Sequence, residues 1–103
     1  MTTSKKSKTN NEIFDLICSQ NDLFDSFEYV YLFGSSIKTS YPNDVDILLI
    51  YLEYSNTMGN KIKEISERLR QICKLPIHIT ALSVQEVKET QFLKKIVLYQ
   101  ILK

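Results

Sequence analysis

The stretch Leu32-Phe33-Gly34-Ser35-Ser36-Ile37-Lys38-Thr39-Ser40-Tyr41-Pro42-Asn43-Asp44-Val45-Asp46-Ile47-Leu48-Leu49-Ile50 decides the fold. An apolar run from Tyr29 to Phe33 stops at a Gly-Ser pair, and an Asp-x-Asp then opens a second apolar run, Ile47 to Tyr51. Side chains alternate along a strand, so Asp44 and Asp46 are expected on one face, with Val45 and Ile47 on the other. Two carboxylates on one face repel unless a cation sits between them, and a hard divalent ion with oxygen ligands suits that place best. Gly34 supplies the backbone freedom for a sharp turn and lets a ligand approach closely. Ser35 and Ser36 then fall where the start of a helix offers N–H groups and hydroxyls to a phosphate. A phosphate cradle beside a carboxylate pair points to metal-assisted chemistry on a nucleoside triphosphate. The same residues also fit a plain loop between two strands, with the aspartates capping or solvated. That alternative leaves unexplained a second aspartate inside a strand, where Asp is disfavoured.

At Gly34-Ser35, Asp44 and Asp46, with Tyr31-Leu32-Phe33 before them and Ile47 to Ile50 after, the chain resembles the polymerase-β-like nucleotidyltransferase superfamily. The resemblance extends in size to the minimal nucleotidyltransferases, small one-domain proteins that include antitoxins. The Gly-Ser to Asp spacing here is shorter than their usual form, so a trimmed turn is expected. The resemblance implies a small mixed β-sheet backed by helices, Mg²⁺ (or Mn²⁺) at Asp44 and Asp46, and ATP as the expected nucleotide. It also implies a triphosphate held at Gly34, Ser35 and Ser36, and a possible protein partner such as a helical toxin.

Composition bounds the rest. A chain of 103 residues suffices for one domain with a real core, but not for a core plus a separate substrate domain. A complete DNA polymerase or tRNA-modifying enzyme is thereby set aside. The 44% hydrophobic and 24% charged content is an ordinary globular balance, and a net charge of +1 demands no polyanionic partner. Nucleic acid is an unfavoured partner for the same reason, since no basic stripe is visible. Cys18 and Cys73 form no Cys-x-x-Cys and there is one histidine, so free thiols in a reducing compartment are expected rather than zinc. No apolar run has the length of a membrane span and no signal peptide is visible, which points to the cytoplasm.

The periodicity predicts an α/β (α+β) order. Residues 1–10, with Lys5, Lys6 and Lys8, read as a flexible polar tail, and residues 11–103 as the folded domain. Ile13, Phe14, Leu16 and Ile17 suggest a short helix broken near Asn21-Asp22, followed by a strand from Glu28 to Phe33. Ser35 to Thr39 is expected to form a turn or two of helix, ended before Pro42. A second strand runs from Val45 to Tyr51. Ser55-Asn56-Thr57 then starts a long helix whose Met58, Ile62, Ile65, Leu69 and Ile72 share one face, with a Glu64–Arg68 pair on its wet side. A third strand, Ile77 to Leu82, leads to the capping box Ser83-Val84-Gln85-Glu86. The remainder, with Val87, Phe92, Ile96, Val97, Tyr99 and Leu102, reads as helical, interrupted near Thr90, with Tyr99 and Ile101 forming either a dimer surface or part of the core.

The third corner of the site is the point of departure. The resemblance places a third acidic residue on the strand Ile77 to Leu82, and the matching position holds His78. Alternation puts His78 and Thr80 on one face and Ile77 and Ile79 on the other. His78 then has three readings: a general base or nitrogen ligand, the mark of a site that binds nucleotide but transfers poorly, or a hydrogen-bonded structural histidine. Magnesium prefers oxygen, so imidazole substitutes weakly for a carboxylate. Glu53 is less suited, since odd numbering sets it on the other face. Lys38, just after the Gly-Ser turn, either reaches a β- or γ-phosphate or stays solvated. Two function classes follow: an adenylyltransferase using Asp44, Asp46 and His78, or the same fold retained as a docking module.

Overall fold

Strands β1 (Tyr29–Phe33) and β2 (Val45–Tyr51) pair antiparallel, with Leu32 opposite Ile47 and Phe33 opposite Asp46. This computed structural model describes residues 8–96 and 98–103. Strand β3 (Ile77–Ser83) lies parallel to β2 and β4 (Tyr99–Ile101) antiparallel to β1, giving a mixed four-stranded sheet in the order β3-β2-β1-β4. The return from β2 to a parallel β3 requires a crossover, supplied by helix α3 (Met58–Cys73). The expected α/β architecture, a small mixed sheet backed by helices, is therefore the one observed.

Register sorts the strand residues onto two faces. Val30, Leu32, Val45, Ile47, Leu49 and Ile77 point to the main core, where they meet Ile13 and Ile17 of helix α1 (Asn10–Cys18), Phe24, Phe27, and Met58, Ile65, Leu69 and Cys73 of α3. The apolar stripe expected on α3 is thus its buried face. The opposite sheet face carries Leu48 and Ile50, also buried, flanked by Tyr29 and Tyr31. Helices α4 (Val84–Thr90) and α5 (Phe92–Ile96) lie against part of it: Val84, Val87 and Leu93 line a small cavity with Tyr29, Tyr31 and Ile50. Phe92 meets Phe33 edge-on, with ring centroids 5.8 Å apart. The end of this second face holds Asp46 and His78, and the candidate site lies there.

Three local expectations need correcting. The last helical region ends at Ile96: Gln91 adopts a left-handed backbone (φ 54°) between α4 and α5, and Tyr99–Ile101 form β4. The free edge of β1 wins over helical propensity, because its peptide groups need partners. Val30 carbonyl accepts from Leu102 (2.8 Å) and Lys103 (3.1 Å), and the Lys103 ammonium donates to the carbonyls of Phe24, Asp25 and Phe27. Helix α1 starts at Asn10, one residue early, because Thr9 and Glu12 close a capping box with each other's backbone N–H groups. Of the expected tail, residues 1–7 lie outside the described residues, whereas Thr9 and Asn10 belong to this helix start. The Glu64–Arg68 pair does not form among the described residues, and Arg68 instead reaches Gln20 Oε1 at 3.5 Å.

Gly34 connects β1 to the short helix α2 (Ser35–Lys38) with φ 72° and ψ −148°, a combination that only glycine adopts without strain. A Cβ at that position would overlap the Asp46 carboxylate, with Asp46 Cγ 3.2 Å away. Gly34→Ala is therefore expected to lose about 2–5 kcal/mol of stability by chemical denaturation, backbone strain and overpacking acting together. A variant as stable as wild type would show that the turn relaxes freely.

The Ser83 capping box at the start of α4 is formed as expected, and Glu86 also accepts from the Tyr51 hydroxyl at 3.4 Å. The bond from Ser83 backbone N–H, then that from the Ser83 side chain, holds the Glu86 carboxyl below its usual 4.5. A lowered folded pKa contributes stability above the unfolded value that is lost as pH falls through the folded one. The melting-temperature advantage of wild type over Glu86→Gln is thus expected at neutral pH and should vanish once the carboxyl protonates. An advantage that persists unchanged in acid would contradict this.

Candidate active site

The site assembles at one end of the second sheet face, where three strands contribute in one row. Phe33 lies opposite Asp46 and Asp46 opposite His78, so β1, β2 and β3 present these three side chains side by side. Asp44, just before β2, and the Gly34–Ser35 turn, just after β1, close the same corner. The expected shared face of Asp44 and Asp46 and the expected pairing of His78 with them are present as geometry.

The close contacts run in a chain. Ser35 Oγ donates to Asp44 Oδ1 at 2.7 Å, and Asp44 Oδ2 stands 3.5 Å from His78 Nε2. The imidazole is 59% exposed and the Asp44 carboxylate 38%, so both are open to an incoming ligand. Asp46 is half-buried and tucked against Gly34. Burial pushes its carboxyl above the usual range, the Asp44 charge pushes it further, and His78 pulls it back. A paired, partly desolvated carboxylate gains from a bound cation, which both relieves the repulsion and restores its charged form.

The remaining expected residues fall into place unequally. Ser36 is fully buried and its hydroxyl donates to the Phe33 carbonyl at 2.6 Å, so it braces the turn instead of facing a phosphate as expected. Lys38 is exposed at the end of α2 and has no ion-pair partner among the described residues. Glu53 lies beyond the end of β2 and is exposed, away from the row. No group of three or more His, Cys, Asp or Glu side chains is arranged to hold a metal ion among the described residues. Carboxylate oxygens are the donor type a hard divalent cation prefers, and the His78 imidazole is a poorer donor for it. Both cysteines are free thiols, Cys73 buried and Cys18 half-buried. No described helix is long and apolar enough to cross a membrane.

Sequence reasoning missed two residues beside this row. Arg70 and Lys74, on the last turn and cap of α3, line a cleft of roughly 510 Å³ with Leu75, Pro76, Ile77 and His78. Their spacing of four places them on one side of the helix end, immediately before the strand that carries His78. That was the available signal.

No family model and no curated protein matches the chain. Solved structures do. The tri-AMPylated HEPN toxin of Shewanella oneidensis in complex with its MNT antitoxin is matched at 16% identity and TM-score 0.51, over 91% of this chain and 68% of that one. A toxin–antitoxin with AMP-PNP is matched at 19% identity and TM-score 0.53, over 91% and 72%. A candidate nucleotidyltransferase from Sulfolobus solfataricus is matched at 16% identity and TM-score 0.50, over 96% and 90%. At such identities the likeness speaks for architecture alone, and it agrees with the Gly-Ser turn and Asp-x-Asp strand: the chain has the fold of the minimal nucleotidyltransferases of the polymerase-β-like superfamily.

Proposed function

We propose that this protein transfers a nucleoside monophosphate, AMP from ATP, to the hydroxyl of a protein or other acceptor with Mg²⁺ (or Mn²⁺). The observation that carries this reading is the convergence of Asp44 and Asp46 on the Gly34–Ser35 turn, with Asp46 so close to Gly34 that any Cβ there would strike its carboxylate. The two carboxylates would hold the cation, which when bound screens the phosphate charge and polarises the α-phosphorus. Gly34 and Ser35 would seat the triphosphate, Ser35 offering a hydroxyl already oriented by Asp44. Lys38 would add charge near its outer phosphates. His78, set against Asp44, would receive the proton of the attacking hydroxyl. The acceptor oxygen then bonds to the α-phosphorus, the bond from that phosphorus to the bridging oxygen breaks, and pyrophosphate leaves. The solved structures of like fold support the choice of adenine nucleotide and protein acceptor, since one holds AMP-PNP and another an AMPylated toxin.

A second reading is favoured by one observation: an exposed imidazole occupies the third corner, and no third carboxylate joins Asp44 and Asp46 among the described residues. On that reading the fold is a docking module that neutralises a partner protein by contact. It would keep its effect on the partner when both aspartates become asparagine.

Calorimetric titration of ATP with Mg²⁺ decides first. Wild type is expected to bind, and the Asp44→Asn, Asp46→Asn double variant to bind at least about tenfold more weakly through loss of charge-assisted contacts. Equal binding by both proteins, or none by a folded wild type, contradicts the transferase reading.

A further inference from the structure

The cleft beside His78 has a composition unlike the row it adjoins. Two fixed cations, Arg70 and Lys74, flank an apolar floor of Leu75, Pro76 and Ile77, with no acidic side chain in the lining. Neither cation has an ion-pair partner among the described residues, and the Arg70 guanidinium reaches only the neutral Ser66 hydroxyl at 3.2 Å. The cleft opens from the β3 side of the carboxylates, whereas the Gly34–Ser35 turn closes them from the β1 side. Displacement at phosphorus brings the attacking oxygen in opposite the leaving one. With the pyrophosphate end of the nucleotide at the Gly34–Ser35 turn, the attacking hydroxyl must arrive from the side of His78 and this cleft.

We propose that the cleft lined by Arg70, Lys74, Leu75, Pro76, Ile77 and His78 is the acceptor's docking site, and that the acceptor is a protein segment whose hydroxyl lies among acidic residues. The proposal rests on the transferase reading for its direction of approach. Charge complementarity selects an acidic segment, and the apolar floor, together with a net charge of only +1, selects protein over nucleic acid. Arg70 and Lys74 hold the segment so that its hydroxyl reaches His78, and they touch neither nucleotide nor cation. They are positioning residues.

The test uses the full chain and a fluorescein-labelled peptide, Glu-Asp-Tyr-Glu-Asp, against a matched peptide with lysine in place of the acids, both read by anisotropy. The variant is Arg70→Glu with Lys74→Asn. Both positions are exposed, and asparagine tolerates the left-handed backbone of Lys74 (φ 58°). Wild type is expected to take the acidic peptide only, the variant to bind it at least about tenfold more weakly, and ATP with Mg²⁺ to bind both proteins alike. Loss of nucleotide in the variant would assign the cleft to the triphosphate and overturn the docking proposal while leaving the transferase reading intact. Acidic-peptide binding through Arg70 and Lys74 by a protein that takes no nucleotide keeps the docking cleft and removes the transferase reading. Equal affinity for the two peptides, affinity for neither, or tighter binding of an oligouridylate than of the acidic peptide overturns the proposal.

Discussion

The contact between the Asp46 carboxylate and the backbone of Gly34 is the constraint on which the site depends. Strand β2 brings Asp46 across from Phe33, the last residue of β1, and the chain must then leave β1 without a side chain in the way. Glycine solves both problems at once: it has no Cβ to strike the carboxylate and it reaches the positive φ that turns the chain into α2. The turn in turn delivers Ser35 to Asp44 and buries Ser36 beneath it. One close approach thus fixes the positions of both carboxylates and of the loop that faces them.

A second consequence is electrostatic. Asp46 is partly buried next to another carboxylate, an arrangement that costs stability while it stands uncompensated. Side chains placed solely for folding seldom accumulate like charge in this way, and sites built for cations often do. His78 softens the repulsion from the β3 side without removing it. The apolar faces around the row, Leu48 and Ile50 on one side of the sheet and the main core on the other, keep the strands rigid beneath it.

Much of this was legible in the sequence because it rests on short-range rules. Alternation grouped Asp44 with Asp46 and His78 with Thr80, and the parallel pairing of β2 with β3 makes Asp46 and His78 neighbours. The stripe on α3 and the Ser83 capping box were equally local signals. What escaped was decided by tertiary partners. Tyr99 and Ile101 carry no strong pattern of their own, and they extend because the edge of β1 lacks hydrogen-bond partners without them. Ser36 looked like a phosphate ligand in a Gly-Ser-Ser run, yet burial turns its hydroxyl to the Phe33 carbonyl. Arg70 and Lys74 escaped sequence reasoning, and only the crossover back to β3 sets them beside His78.

The central claim is that the carboxylate pair at the Gly34 turn is a divalent-cation site. Titration of substoichiometric paramagnetic Mn²⁺ into the isotope-labelled protein tests it residue by residue. The account predicts that amide signals of Gly34, Ser35, Asp44, Asp46 and His78 broaden first, and that excess Mg²⁺ restores them. Broadening spread over the surface acids, or confined to another part of the chain, would contradict it.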